Sequence, residues 1–112
     1  MRVHLIKEKT ILDYGQNHAS SISGFERWIH RVKNADWNSP NDFNTTFANA
    51  DLLGKKSKRV CFDVGGNNHR IICSYYFNKN IDKVTLFIKW IGTHAEYDGI
   101  CKKNEQYTID KF

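Results

Sequence analysis

The feature that most constrains the fold is the regular alternation of apolar and polar residues in the second half of the chain. Residues 59–64 and 84–90 each place an apolar side chain at every second position, and residues 69–75 lie between them. A period of two is typical of β-strands that bury one face. The sequence therefore predicts a three-stranded meander whose apolar face carries Val60, Phe62, Val64, Ile71, Cys73, Val84, Leu86, Ile88 and Trp90.

The first predicted hairpin has a turn that fixes its register. Gly65-Gly66-Asn67-Asn68 suits a four-residue turn, because glycine and asparagine adopt positive φ at low cost. This turn sets Val64 opposite His69 on the apolar face and Asp63 opposite Arg70 on the other face. A slip by one residue would turn the apolar side chains of one strand to the wrong side.

The second predicted hairpin needs a loop with an even number of residues. A loop at residues 78–81 sets Ile71 opposite Ile88, whereas an odd loop would set Ile71 opposite Lys89. On the other face, which we expect to be open, this register places Arg70 beside Lys89. Two neighbouring cations repel unless an anion lies near them, and a bound phosphate is one such anion. A charged face exposed to solvent is the alternative explanation.

The first half of the chain favours helices. A short strand is predicted over residues 3–6, a short helix from about Lys9, and a longer helix over residues 20–34, where apolar side chains recur every three or four residues. Residues 36–49 predict a loop with one helical turn at residues 42–47. We therefore predict an α+β fold, in which a small antiparallel sheet (the N-terminal strand plus the C-terminal three-stranded meander) packs against two N-terminal helices.

A helix start follows the last predicted strand. Thr93-His94-Ala95-Glu96 has the S/T-x-x-E pattern of a capping box, which predicts a short C-terminal helix that ends near Gly99. The free backbone N–H groups at such a start attract anions. Tyr97 and Asp98 share a helix face with His94, because they follow it by three and four residues.

Length and cysteine content narrow the class of protein. With 112 residues the chain has room for one domain, residues 1–112, and no apolar run approaches the roughly 18 residues of a membrane-spanning helix. Three widely spaced cysteines fit neither a disulfide framework nor a zinc site. We expect a soluble, cytoplasmic protein that does not bind a membrane and uses no metal or cofactor.

The net charge of +5 is compatible with an anionic partner, and its densest concentration is one short run. Lys55-Lys56-Ser57-Lys58-Arg59 leads directly into a predicted strand. Each lysine of this run is equally well explained as a phosphate contact or as part of a solvated loop.

Four side chains near one end of the predicted sheet have the chemistry for cleaving RNA without a metal. Such cleavage needs a base for the ribose 2′-OH, an acid for the leaving 5′-oxygen, and cations for the phosphorane. Arg70 can grip phosphate oxygens, Lys89 can act as a point charge, and His94 can serve as base or acid. Tyr97 can donate a proton, orient the hydroxyl or stack on a base. The simpler alternatives are that His94 is an ordinary surface histidine and that Tyr97 packs under the sheet.

Two segments resemble the HigB-type toxins of bacterial toxin–antitoxin pairs, messenger-RNA interferases related to RelE. Residues 60–72 resemble the family's strand, glycine–asparagine turn and arginine, and residues 88–98 resemble its lysine followed by Thr-His-x-Glu-Tyr-Asp. The resemblance implies a RelE-like fold and an endoribonuclease that cleaves messenger RNA, usually on the translating ribosome. The catalytic residues that it carries over are Arg70, Lys89, His94 and Tyr97.

The resemblance also implies RNA contacts and partners. Lys58, Arg59 and Asn67 are the expected RNA contacts, together with Lys55 and Lys56 of the basic run. The expected partners are messenger RNA, the ribosome and a cognate helix-turn-helix antitoxin of the HigA type, through which the toxin–antitoxin complex would bind operator DNA. The tail, residues 100–112, has no usable pattern, and Tyr107 is only a minor candidate there.

Other classes of function fit the same residues. The chain can be a non-catalytic basic module that binds RNA or ribosomes, or a degenerate toxin that retains only antitoxin binding. An enzyme should lose turnover when His94 or Tyr97 is truncated, whereas a binding module should lose only affinity. A DNA-binding protein is less well supported, because no helix has a basic face suited to reading bases.

Overall fold

Within residues 1–65 and 68–112, which this computed structural model describes, five strands form one mixed sheet. In spatial order they are β1 (Arg2–Ile6), β5 (Lys83–Thr93), β4 (His69–Asn78), β3 (Arg59–Val64) and β2 (Asp51–Leu53). The predicted α+β class is confirmed. The sheet is not antiparallel throughout, however, because β1 runs parallel to β5. Parallel neighbours need a crossover connection, which here comprises the helices and then β2, β3 and β4. β2 has three residues, too few to show the alternation of apolar and polar residues that marks a strand in the sequence.

The predicted register of the first hairpin is confirmed. Val64 lies opposite His69, and Asp63 lies opposite Arg70. The two central residues of the predicted turn, residues 66–67, lie outside the described residues. The matching of apolar side chains across this hairpin was therefore enough to align its strands.

The register of the second hairpin differs from the prediction by two residues. Cys73 lies opposite Ile88 instead of Leu86, because the loop between the strands comprises residues 79–82. Asp82 closes this loop in a left-handed conformation, with φ of 52°. An even shift keeps each side chain on its predicted face, so the apolar face is correct up to Ile88.

A β-bulge in β5 changes the faces beyond that point. Ile72 lies opposite Trp90 and Cys73 lies opposite Ile88, so Lys89 has no residue opposite it. Trp90 therefore packs on the face of Ile72, whereas Ile88 packs on the other face. This corrects the predicted strand, in which Trp90 shares the face of Ile88.

Helices cover one face of the sheet. α1 (Glu8–Gln16) and α2 (Ile22–Lys33) confirm the two predicted helices, and the predicted helical turn is present as Pro40–Asp42 and α3 (Phe43–Thr46). The core between them and the sheet includes the fully buried side chains of Ile11, Phe25, Val32, Trp37, Phe43, Phe62, Ile71 and Leu86. Burying one such large side chain contributes about 1.5–3 kcal/mol. No helix in the described residues is long and apolar enough to span a membrane.

The other face of the sheet is also covered, which corrects the expected open surface. α4 (His94–Lys102) and the 3₁₀ helix Glu105–Tyr107 lie over it. The apolar cluster on this face comprises Cys61, Ile72 and Trp90, with Leu53, Tyr97, Ile100 and Ile109 packed against it. α4 runs past Gly99, its predicted end, because Ile100 packs into this cluster. The tail is therefore part of the fold.

Candidate active site at the start of the last helix

The junction between β5 and α4 positions His94. Thr93 ends the strand and caps the helix, because its Oγ1 accepts a hydrogen bond from the backbone N–H of Glu96 (3.2 Å). The Glu96 carboxylate accepts one from the backbone N–H of Thr93 (2.8 Å), so the predicted capping box is confirmed. The backbone N–H of His94 donates to the carbonyl of Asn68 (3.1 Å), which ties the helix start to the beginning of β4.

The His94 side chain is half-exposed at the surface of this junction. Its Nε2 lies 3.5 Å from Oδ2 of Asp98, one turn further along α4. Its Nδ1 is buried and has no hydrogen-bond partner in the described part of the chain. Because Nδ1 is buried, a proton exchanged with a substrate would pass through Nε2, the nitrogen beside Asp98.

Arg70 lies on β4 at the same end of the sheet, between Asp63 on β3 and Gly92 on β5. Its Nε is 3.0 Å from Oδ1 of Asp63, and its Nη1 donates to the carbonyl of His69 (3.3 Å). Only 10% of the side chain is exposed. Because the ion pair already fixes the guanidinium, little side-chain freedom remains to be lost when it meets an anion.

Tyr97 lies on the same side of the sheet, but its hydroxyl turns inward. Its ring centre is 6.2 Å from that of Trp90, and its hydroxyl is within hydrogen-bonding reach of the thiols of Cys61 and Cys101. Burial, and next the neighbouring Cys61, raises the pKa of Tyr97. Burial likewise raises the pKa of the Cys61 thiol to about 12. Tyr97 is therefore protonated at neutral pH, and its raised pKa makes it a weaker acid than an ordinary tyrosine.

The structure does not bring Lys89 beside Arg70, and this corrects the predicted pairing. Lys89 occupies the bulge, whereas Arg70 lies opposite Gly92, three residues further along β5. The Nζ of Lys89 is 3.3 Å from Oδ2 of Asp110, and its carbonyl accepts a hydrogen bond from the backbone N–H of Lys111 (2.8 Å). The C-terminal tail thus engages Lys89 away from Arg70.

The basic loop lies at the far end of β3 from this site. Lys55, Lys56 and Lys58 are exposed and have left-handed backbone conformations, with φ of 60°, 57° and 54°. Each such conformation costs on the order of 1 kcal/mol or more for a residue with a Cβ atom. The Nζ of Lys55 lies 5.2 Å from the centre of the Tyr107 ring. Because β3 has six residues, about 17 Å separates this loop from the Arg70 end.

The remaining two expected RNA contacts are Arg59 and Asn67. Arg59 is buried, and its Nη1 donates to the carbonyls of Ile109 (2.7 Å) and Gln106 (3.3 Å). Burial lowers the pKa of Arg59, and the nearby Asp110 partly opposes that shift. Arg59 therefore ties the C-terminal tail to the sheet. Asn67 lies outside the described residues.

His69 precedes Arg70 on β4, and the sequence motifs do not single it out. It is 6% exposed and lies among the rings of Tyr14, His18 and Phe25, whose centres are 5.3–5.6 Å away. Neither ring nitrogen has a hydrogen-bond partner within the described residues. Burial lowers the pKa of His69, and His18 lowers it further. The predicted hairpin register could have revealed that His69 is buried, because it places His69 opposite Val64 on the apolar face.

The end of the sheet therefore brings Arg70, His94 and Tyr97 to one region and leaves Lys89 and the basic loop outside it. Arg70 and Tyr97 are both neighbours of Cys61, and His94 is tied to Asn68, two residues before Arg70. Among the described residues, no three His, Cys, Asp or Glu side chains are grouped closely enough to hold a metal ion. The region offers a fixed cation, an oriented imidazole and a protonated phenol.

Comparison with known proteins identifies the family. Residues 22–100 match a family model described as HigB_toxin, RelE-like toxic component of a toxin-antitoxin system. The mRNA interferase HigB of Escherichia coli O6:H1 is 29% identical over 101 residues, which cover 89% of this chain and 93% of that protein. The mRNA interferase toxin HigB of Escherichia coli K12 is 23% identical over 96 residues, which cover 86% and 88%.

The matched residues include β3, β4, β5 and most of α4, the elements that carry the site. The predicted family is thereby confirmed, and the chain belongs to the HigB toxins, the RelE-like toxic components of toxin–antitoxin systems.

Proposed function

We propose that the chain is an endoribonuclease that cleaves messenger RNA and acts as the toxin of its pair. The observation that carries this proposal is the His94 imidazole, which lies at the start of α4 at the same end of the sheet as the Arg70–Asp63 ion pair. Relatives that match nearly the full chain are named mRNA interferases, which supports the same activity.

In the proposed reaction a ribose 2′-oxygen attacks the adjacent phosphorus and displaces the 5′-oxygen of the next nucleotide. The products are a 2′,3′-cyclic phosphate and a free 5′-hydroxyl, so one proton leaves the 2′-OH and one reaches the 5′-oxygen. Arg70 stabilises the negative charge of the phosphorane. His94 transfers one of the two protons, a role typically worth about 10²–10⁴ in rate.

Tyr97 and Lys89 have different parts in this proposal. Tyr97 keeps its proton at neutral pH, and it suits protonation of the leaving oxygen only after its hydroxyl turns away from Cys61 and out of the burial that raises its pKa. Lys89 is already paired with Asp110 and lies apart from Arg70, so it contributes charge along the RNA path more readily than at the scissile phosphate.

We also propose that cleavage occurs on translating ribosomes, with neutralisation by a helix-turn-helix antitoxin of the HigA type. The exposed lysines of the loop at residues 55–58 suit contacts with RNA phosphates at a distance from the reaction. In this proposal the toxin–antitoxin complex reaches operator DNA through the antitoxin.

A non-catalytic RNA-binding role is the second candidate, and a specific observation favours it. Arg70 is largely buried in its ion pair with Asp63, and the Tyr97 hydroxyl faces Cys61 in place of solvent. A toxin relative that had lost catalysis could keep both side chains for packing alone.

Primer extension on cellular messages after brief induction separates the two candidates. For an enzyme we expect new 5′ ends inside translated regions with the parent chain and none with His94→Ala. Asp13→Ala is a matched control on exposed helix surface and should give the parent pattern. An absence of new ends with abundant, folded parent protein would refute the nuclease and leave the binding role.

A further inference from the structure

A groove between α2 and the end of β3 is not used by the proposed reaction. Its volume is about 210 Å³, and it is lined on one side by Arg27 and Arg31 and on the other by Asp63 and Gly65. The buried rings of Trp28 and Phe47 also line it. The groove therefore borders the site, because Asp63 is also the ion-pair partner of Arg70.

The two walls of the groove are held at a fixed separation by a contact between two glycines. A Cβ atom on Gly24 would lie 2.9 Å from Cα of Gly65, closer than side-chain carbons approach backbone. Gly65 itself has a φ of +64°, which favours glycine. The groove is consequently built into the packing of α2 against the sheet.

The charge of the groove is strongly positive. Arg27 and Arg31 are four residues apart and project from one face of α2, where like charges repel. The guanidinium of Arg31 lies 4.6 Å from the centre of the Phe47 ring and donates to the carbonyl of Thr46. Arg27 is exposed and forms no hydrogen bond or ion pair within residues 1–65 and 68–112.

The acidic residue of the groove does not cancel this charge. Oδ1 of Asp63 is 3.0 Å from Nε of Arg70, so its charge is already compensated. Trp28 adds a second observation: it is 3% exposed, and its Nε1 has no hydrogen-bond partner in the described part of the chain. A buried donor without a partner is costly. An anion bound between Arg27 and Arg31 would relieve the repulsion of these two arginines.

We propose that this groove binds a phosphodiester of the RNA strand that the site cleaves, on the side of Arg70 opposite α4. Planar guanidinium groups match phosphate oxygens, and an apolar base around them strengthens the interaction by excluding water. This inference rests on the proposed function, because it adds a second phosphate position to the same substrate. Arg27 and Arg31 would be positioning residues and not catalytic ones.

The test is RNA binding by the Arg27→Gln variant. Because Arg27 is exposed and forms no hydrogen bond or ion pair within the described residues, we expect this variant to fold normally. The probe is a fluorescently labelled 2′-O-methyl oligonucleotide, which cannot be cleaved by 2′-oxygen attack, and the readout is its anisotropy over a salt series. Lys79→Gln removes the same charge from the exposed loop at the opposite end of β4. An Arg27→Gln/Arg31→Gln double variant tests the pair, with its thermal unfolding as a check on Phe47 packing.

For Arg27→Gln we expect roughly three- to tenfold weaker binding at low salt. We also expect a salt dependence that is shallower by about 0.7 in log–log slope, as for one lost phosphate contact on a single strand. Lys79→Gln should change neither quantity by a comparable amount.

The outcomes separate this inference from the function on which it rests. If the parent binds the oligonucleotide and Arg27→Gln binds it equally well with the same salt slope, the groove has no RNA phosphate and only this inference fails. If the parent shows no salt-dependent binding of the free oligonucleotide, the inference fails, whereas the proposed function stands or falls separately on primer extension of cellular messages.

Discussion

The molecule holds its positive charges in two contrasting ways at the two ends of β3. At one end Arg70 is 10% exposed and is fixed by Asp63 at 3.0 Å. At the other end Lys55, Lys56 and Lys58 are exposed on a loop of left-handed residues. One region carries a cation that an ion pair holds in a rigid setting, and the other carries several cations in contact with water.

This difference separates the two tasks that an RNA-cleaving toxin has to perform. A fixed, partly desolvated cation stabilises charge that develops at one atom, because no reorganisation is needed when the charge appears. Exposed lysines attract the phosphate backbone at any register, and salt weakens this attraction. We therefore assign the Arg70 end to the reaction and the lysine loop to capture of RNA.

The largest expected effect comes from removing the fixed cation. Arg70→Gln should reduce the cleavage rate by about 10²–10³, the loss typical of removing one electrostatic contact to a transition state. Lys56→Gln is the matched control at the other end of β3 and should reduce the rate by less than about tenfold. Single-turnover cleavage at saturating ribosomes measures both.

A double variant checks that the loss at Arg70 is not merely instability. Arg70→Gln leaves Asp63 partly buried without its partner, and Asp63→Asn/Arg70→Gln removes that unpaired charge. We expect the double variant to regain thermal stability and to remain inactive. Recovery of cleavage in the double variant would show that Arg70 only supports the fold.

A smaller effect is expected at the partner of the imidazole. Asp98→Asn keeps a side chain of the same size beside Nε2 of His94 but removes its charge. Because both groups are about half-exposed, we expect a roughly three- to tenfold loss of rate and no change in RNA affinity. Kinetics at limiting and saturating substrate separate the two quantities. A loss of affinity alone would place Asp98 on the RNA-binding surface.

The rigid end should also show a dependence of stability on pH that the exposed loop lacks. Burial lowers the pKa of His69, so below the ordinary histidine value near 6.5 the unfolded chain binds a proton that the folded chain does not. The stability due to neutral His69 is therefore complete above that value and declines as the pH falls through it.

Urea denaturation at about pH 7.5 and about pH 5.5 measures this dependence. We expect His69→Phe, which suits the surrounding aromatic rings, to reduce the drop in unfolding free energy between the two pH values. His30→Gln, at an exposed position on α2, should leave the drop unchanged. The same drop in the parent and in His69→Phe would mean that another group controls it.

The smallest expected effect lies in the lysine loop. Each single substitution, such as Lys56→Gln, should make the log–log salt dependence of RNA binding shallower by about 0.7, with an affinity loss below roughly fivefold. Filter binding across a salt series measures it. A sequence-dependent loss would instead mean that the loop reads bases.

The sequence predicts the first hairpin and the capping box because both depend on local chemistry. The alternating apolar residues align β3 with β4, and Thr93 with Glu96 starts α4. The bulge at Lys89, in contrast, does not depend on local sequence chemistry. It arises from how two strands and the tail pack together, and no residue of β5 marks it in advance.

The same distinction explains what sequence reasoning missed in the site. Arg59 looks like part of a basic run, but its guanidinium is buried by carbonyls of the tail, whose packing has no periodic signature. The groove beside α2 depends on the approach of Gly24 to Gly65, two residues that are 41 positions apart. No local sequence pattern marks that approach, so only the three-dimensional packing reveals the groove.

The most direct test of the account is cleavage of a message with a single 2′-deoxy nucleotide at a mapped cleavage position. Attack by the 2′-oxygen, with His94 and Arg70 around the phosphate, predicts that cleavage disappears at that position. It should persist at unmodified positions and yield 5′-hydroxyl ends there. Undiminished cleavage at the deoxy position would contradict the proposed reaction and the roles given to both residues.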